Sequence, residues 1–215
     1  MRSSDLSDRF YASLAWRCLF GGIATFSFTT ECVAFIAPYT ENFDAATSIP
    51  NCWAMSGSEN WIFATTGGHV GNAGTFGTST SGGNFAYVDD STPDNVGTTL
   101  ISPLIDVSTL TNPALSFNLL SNNEGNSNVT LNVDVFDGAA WNNAFYTNSA
   151  NTANGDWELI ILDLSTLTIT GPVQARFVVD ELVSGDYYDD VAIDDVSFIE
   201  GPSCFIPNSL SSAPN

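Results

Sequence analysis

The sequence predicts an all-β chain folded as an antiparallel β-sandwich, and three observations carry that expectation. Short segments rich in β-branched and aromatic residues recur roughly nine or ten times. Gly, Asn, Asp, Ser and Pro separate them, and no window shows a helical period, so the main body should hold essentially no helix. The connections are short, which favours antiparallel pairing, because a parallel crossover needs a dozen or more residues. At 215 residues the chain is long enough for one substantial core with appendages.

Three regions differ in composition: 1–34, a main body at 35–200, and 201–215. The first holds Arg2, Arg9 and Arg17 and an apolar stretch, Leu14 to Phe28, that loosely resembles a signal peptide. Asp5, Asp8 and Arg17 interrupt that pattern, and no small-x-small cleavage site follows it cleanly. Phe26-Ser27-Phe28-Thr29-Thr30 reads as one strand with no partner nearby. The main body opens on Ala37 to Asp44, where Tyr39, Glu41 and Phe43 fall on one face of an extended segment, so Glu41 should turn inward with the aromatics.

Cys52-Trp53 and Trp61-Ile62-Phe63 follow as apolar anchors, with Trp53, Trp61 and Trp157 read as core. Gly67 to Gly83 is a Gly/Ser/Thr loop that carries His69, read as an exposed loop residue. Phe85 to Asp90 is strand-like and ends in paired acids. Thr98 to Asp106 reads as a strand containing Pro103, hence an edge or a bend. Ala114 to Leu119 and Val129 to Phe136 alternate apolar and polar residues, and Asp137-Gly138 then signals a hairpin before Trp141. Trp157 to Leu164 and Val173 to Val179 supply further strands. The last, Asp189 to Phe198, breaks its own alternation at Asp194-Asp195. Either a bulge sits there, or one carboxylate points inward and must be paired or bound to a metal.

The net charge of −20, with no lysine and only Arg176 beyond the first 17 residues, excludes nucleic-acid phosphates and anionic membranes as partners. Cations suit such a surface. No run is long and apolar enough for a transmembrane helix. Four cysteines, Cys18, Cys32, Cys52 and Cys204, suit an oxidising compartment; their spacing fits no zinc site, and three pairings remain open, one of them closing the main body through Cys32 and Cys204.

The order of these segments is familiar. Phe43-Asp44, Cys52-Trp53, Trp61 to Phe63, Gly83 to Tyr87, Leu100 to Pro103, Leu115 to Phe117, Trp157 and Ala192-Ile193-Asp194-Asp195-Val196 together resemble a MAM domain (meprin, A5, receptor phosphatase mu), in the form found in secreted multidomain bacterial proteins. The resemblance covers roughly 38–200 and implies a jelly-roll (concanavalin A-like) β-sandwich, an extracellular location, adhesion or protein contact, and a bound calcium-like cation. Cys52 alone sits where a MAM cysteine is expected. Phe26 to Cys32 is similar to the last strand of a fibronectin type III domain, and Ser203 to Leu210 resembles the start of another, which implies neighbouring domains in a longer chain.

Calcium takes six to eight oxygen ligands from carboxylates, carbonyls and water. Glu41, Asp44, Asp194 and Asp195 are the candidate ligands, with Asp89 and Asp90 as a further pair; Gly185 to Asp190 reads as a solvated acidic loop. First and last strands of a sandwich lie close together, which would bring Glu41 towards Asp194. Catalysis is not expected: no Gly-x-Ser-x-Gly elbow, phosphate loop or dinucleotide fingerprint occurs, and one loop histidine makes no triad. The expected function is a non-catalytic adhesion or interaction module of a secreted or cell-surface protein, with protein or glycan partners and a structural Ca2+. The alternative is a carbohydrate-binding module attached to a secreted hydrolase, with Trp141 as the stacking residue.

Overall fold

The computed structural model describes residues 32–68, 76–79, 81–89, 95–122, 129–150, 152, 156–181 and 190–203. His69, Asp90, Cys18, Cys204, the segment 26–31 and the loop 185–189 lie outside them. The chain divides into two compact units, 1–33 and 34–215, and both sheets belong to the second. This unit is all β apart from a 3-10 turn at Leu164–Thr166 among the described residues.

The first layer is a five-stranded sheet ordered β10-β9-β12-β6-β3, made by β3 (Ala54–Ser56), β6 (Val96–Ile101), β9 (Val129–Phe136), β10 (Trp141–Asn148) and β12 (Gln174–Glu181). The second is a six-stranded sheet. Its path runs β11-β8-β13-β5-β4, from β11 (Glu158–Asp163) through β8 (Pro113–Ser121), β13 (Val191–Glu200) and β5 (Phe85–Val88) to β4 (Ile62–Ala64). Strand β2 (Tyr39–Glu41) is its sixth member and pairs with β13. Within both sheets every pairing is antiparallel, but β1 (Phe35–Ile36) and β7 (Ile105–Asp106) form a small parallel pair, which the long excursion between them permits.

The main core lies between the sheets. Along β12, Ala175, Phe177 and Val179 are fully buried and alternate with half-buried Arg176, Val178 and Asp180, the period-2 pattern of a strand with one wet face. Phe177 meets Phe117 of β8 edge-on across the sandwich, ring centroids 5.2 Å apart. The central strands of the six-stranded sheet, β5, β8 and β13, are buried on both faces along most of their length, whereas Leu159 and Ile161 of β11 and Ile62 of β4 are exposed. Ala86, Val88, Val191, Ile193, Val196 and Phe198 join the main core, whereas Phe85, Tyr87, Leu120 and Ala192 form a second cluster with Phe76. That outer cluster exists because part of the Gly67–Gly83 loop folds back over the sheet: the Phe76 N–H donates to the Gly67 carbonyl at 2.7 Å, and a Cβ on Gly67 would come within 2.3 Å of the Tyr87 ring.

The proline segment is a bend. β6 stops at Ile101, and the chain resumes pairing at Ile105, where β7 meets β1. The Asp137-Gly138 turn forms the hairpin: Asp137 Oδ1 accepts from the N–H groups of Ala139 and Ala140, and Gly138 takes φ +96°, closed to other residues because a Cβ would strike the Gly171 backbone at 2.3 Å. Trp53 and Trp61 are core residues, whereas Trp157 is half-buried at the rim of the outer cluster, its Nε1 donating to the Gly77 carbonyl.

Candidate functional site

The break at Asp194-Asp195 is a β-bulge. Against β8 the register runs Asp194 to Asn118 and then shifts before Ser197 to Ser116. Asp195 absorbs the extra residue with φ +52°, a conformation Asp tolerates better than most side chains. On the opposite edge of β13 the bulge divides two partners: residues 191–193 pair with β5, and residues 196–198 pair with β2. Because the bulge inserts one residue, Ile193 and Val196 both face the main core and neither acid does.

Asp194 is nevertheless fully buried, because Ser79 and Ser81 cover it. Its Oδ2 accepts hydrogen bonds from both serine hydroxyls, and its Oδ1 accepts from the Asp195 N–H at 2.8 Å. Asp195 Oδ2 accepts from Asn118 Nδ2 at 2.7 Å and from Ser79 Oγ at 3.1 Å. Burial pushes the Asp194 carboxyl up to about 6, with the neighbouring Asp195 charge adding to the rise and the two serines and the Asp195 N–H opposing it.

Glu41 sits on the other side of the sheet. Its cross-strand partner is Val196, and Tyr39 lies opposite Phe198, so both point to the core side, as the alternation predicts. The strand then stops. Glu41 Oε1 accepts from the Phe43 N–H at 2.8 Å, and Phe43 turns into the core with φ +57°. Burial raises the Glu41 carboxyl, the Phe43 N–H opposes this, and the charge of Asp44 adds to the rise. Asp44 is exposed; its Oδ1 accepts from the Asn84 N–H at 2.8 Å, and its Oδ2 from Asn42 Nδ2 at 2.7 Å. Gly83 makes that approach possible, because a Cβ there would lie 1.6 Å from Asp44 Oδ1.

The expected meeting of Glu41 with Asp194 therefore does not occur: the bulge sends Asp194 to the outer face while Glu41 faces inward. What joins the acids is residues 79 and 81–84, which contact Asp194 and Asp195 through Ser79 and Ser81 and Asp44 through Gly83 and Asn84. Among the described residues no three carboxylates come close enough to hold one metal ion between them. Asp89 lies elsewhere, at the end of β5, where its charge acts on Tyr87 and Glu59.

Trp141 opens β10 and is half-buried rather than freely exposed. It packs on Phe136 at 5.6 Å, and the Arg176 guanidinium lies 4.3 Å from the centre of its ring. Arg176 Nε donates to Asp134 Oδ2 at 2.6 Å, and Nη2 to Asn143 Oδ1 at 3.1 Å. Asp134 Oδ1 accepts from the Ala144 N–H at 2.6 Å, within a bulge of β10 where Ala144 takes φ +49°. The sequence hides this cluster. Asp134 occupies an ordinary polar slot in an alternating strand, and the bulge that buries it has no glycine to mark it. Ser79, Ser81 and Asn118 are equally unmarked.

The profile of the MAM domain, meprin/A5/mu, matches residues 42–205. The chain belongs to the MAM family. The matched span takes in β3 to β13, so it includes the five-stranded sheet, the six-stranded sheet apart from β2, and the bulge. Among solved structures it is similar to the K1 and K3 cleaved adhesin domains of Lys-gingipain from Porphyromonas gingivalis W83, at 15% and 14% identity with TM-scores of 0.52 and 0.50. It is similar also to the K2 cleaved adhesin domain of Lys-gingipain, at 17% identity and a TM-score of 0.50. The K1 and K2 alignments each cover 77% of this chain and 99% of the other, and the K3 alignment covers 76% and 98%. At these identities the likeness is one of fold. No match was found among curated proteins. Among the described residues no helix is long and apolar enough to cross a membrane.

Proposed function

We propose that this MAM domain is a non-catalytic adhesion or interaction module of a modular secreted or cell-surface protein, stabilised by a calcium-type cation. Its partners are proteins or glycans at a cell surface or matrix. The observation that supports the cation is the stretch shared by the acids, residues 79 and 81–84. Asp194 and Asp195 sit side by side on it with only hydroxyls, amides and a backbone N–H for partners, and Asp44 meets its far end. These are hard oxygen donors with uncompensated negative charge, the chemistry calcium prefers. Asp194, Asp195 and the serine oxygens would hold the ion, and its charge would remove the repulsion within the pair. The interaction reading is supported by family membership and by polar clusters built to brace the fold rather than to present a nucleophile.

The cation is tested by melting the protein in calcium and in chelator, since a ligand bound to the folded state alone raises stability. Chelator should lower the melting temperature of the wild type and leave Asp194→Ala unmoved. Equal curves for the wild type in both buffers would sink the cation.

The glycan reading has its own observation: Trp141 lies among Arg176, Asn143 and Asp134, so hydrogen-bonding groups border an aromatic ring. The Arg176 guanidinium already covers part of that ring, which favours protein contact over sugar stacking. Saturable binding on a glycan array, lost in Trp141→Ala, would reverse that preference.

A further inference from the structure

A β-sandwich can take on another chain at its sheet edges, because an outermost strand leaves a row of N–H and C=O groups outside the ladder. Most edges of this sandwich are blunted. β2, β3 and β4 have three residues each. β10, which ends the five-stranded sheet, is broken by its bulge: the register shifts between Asn142 and Tyr146, with Ala144 at φ +49°.

β11 carries none of these devices. It ends the six-stranded sheet, and no described strand pairs with its outer edge. Its six residues pair with β8 without a shift, from Glu158 opposite Leu119 to Asp163 opposite Ala114. It contains neither proline nor lysine, and acids stand only at its two ends.

The four residues between those acids, Leu159 to Leu162, are all apolar. Ile160 and Leu162 pack against the main core yet stay half-buried, whereas Phe117 and Leu115, opposite them on β8, are fully buried. Leu159 and Ile161 alternate to the outer face and are 63% and 40% exposed. A further strand beside β11 would therefore cover apolar surface on both faces of the sheet.

Charge decides which strand fits. Asp156, Glu158 and Asp163 flank the apolar run. Arg176, the only basic side chain among the described residues, lies in the other sheet and is bound to Asp134. A second copy would bring the same acids and the same net charge of −20 to this edge, whereas a cationic partner is drawn to it.

We propose that the outer edge of β11 docks an extended segment of a partner protein, apolar over its middle and basic at its ends, as one more strand of the six-stranded sheet. Backbone hydrogen bonds to β11 give affinity with little demand on sequence. Selection comes from apolar side chains beside Leu159 and Ile161 on one face and Ile160 and Leu162 on the other, and from basic groups near the flanking acids. This rests on the reading of the domain as an interaction module. It gives that reading a surface on a different sheet from Trp141.

The probe is a capped synthetic peptide of alternating valine and threonine with lysine at both ends, titrated into the intact chain at low salt. Binding should be saturable, and NMR should show the β11 amides slowed in exchange with solvent while those of β10 keep their rates. The same peptide N-methylated at every residue should not bind, because it has no N–H to give to the ladder. A glutamate-ended peptide should bind far more weakly. Leu159→Gln combined with Ile161→Gln, at two exposed positions, should weaken the lysine-ended peptide by about tenfold and leave the melting temperature unchanged. Equal binding of the methylated or the glutamate-ended peptide would overturn strand addition by a cationic segment. So would undiminished binding to the doubly substituted chain, or protection of β10 in place of β11. A concentration-dependent dimer that the double substitution dissolves would make the occupant a second copy, and overturn it too. Absence of peptide binding overturns the edge but not the interaction reading, whose Trp141 surface is read separately on the glycan array.

Discussion

Asp134 and Asp194 are both aspartates on long strands, both shielded from water, and held in opposite ways. Asp134 has a charged partner, Arg176, and a backbone N–H. Asp194 has two hydroxyls, one backbone N–H and a second carboxylate beside it. The difference teaches how a chain with 24 acids and four basic residues manages its interior. One buried carboxylate takes the one guanidinium within reach. The others need neutral donors, a proton or a cation from solution.

The sharpest way to break the comparison is to make Asp134 resemble Asp194. Arg176→Met leaves Asp134 without its partner and should lower stability by about 3 kcal/mol, the low end for breaking a buried pair because Arg176 is partly exposed. A shifted urea midpoint with an unchanged slope would report it. The reverse experiment removes the charge at the other site. In chelator at pH 7.5, Asp194→Asn should gain about 2 kcal/mol, the order set by a carboxyl raised from its ordinary value to about 6. The sign follows from the raised value: ionised Asp194 opposes folding, so the gain should vanish below pH 4, where the wild-type carboxyl is already protonated. In calcium the same variant should lose ground instead, if the ion binds there. The smallest change is Trp141→Ala. It removes the ring beneath Arg176 but leaves the ion pair, and should lower stability by about 1 kcal/mol. A loss as large as that of Arg176→Met would mean the ring, and not the guanidinium, holds Asp134 in place.

Much of the fold could be read directly. Val129 to Phe136 announces a strand by alternation and Asp137-Gly138 its turn, because both signals are local. β10 was legible only as the hairpin partner of β9: Asn142, Asn143 and Ala144 are poor strand formers, and the pairing of residues 141–142 and 146–148 on either side of the bulge carries them. Pro103 marked an interruption but not the short parallel pairing of β7 with β1, which joins residues 70 positions apart.

The site divides along the same line. The slip in alternation at Asp194-Asp195 is written in the sequence, and so is the need for a bulge or an inward acid, because a period of two admits no third choice. Which face the acids take was decided by tertiary structure. Parity pulled both ways, since Ile193 and Val196 each claim the core, and the bulge satisfies both by sending Asp194 outward. Its burial there comes from Ser79 and Ser81, more than a hundred residues earlier, on a loop whose composition gives no sign of what it covers. Composition determined that the chain would be short of cations; only the packing decided that Asp134 would have the nearby one and Asp194 would not.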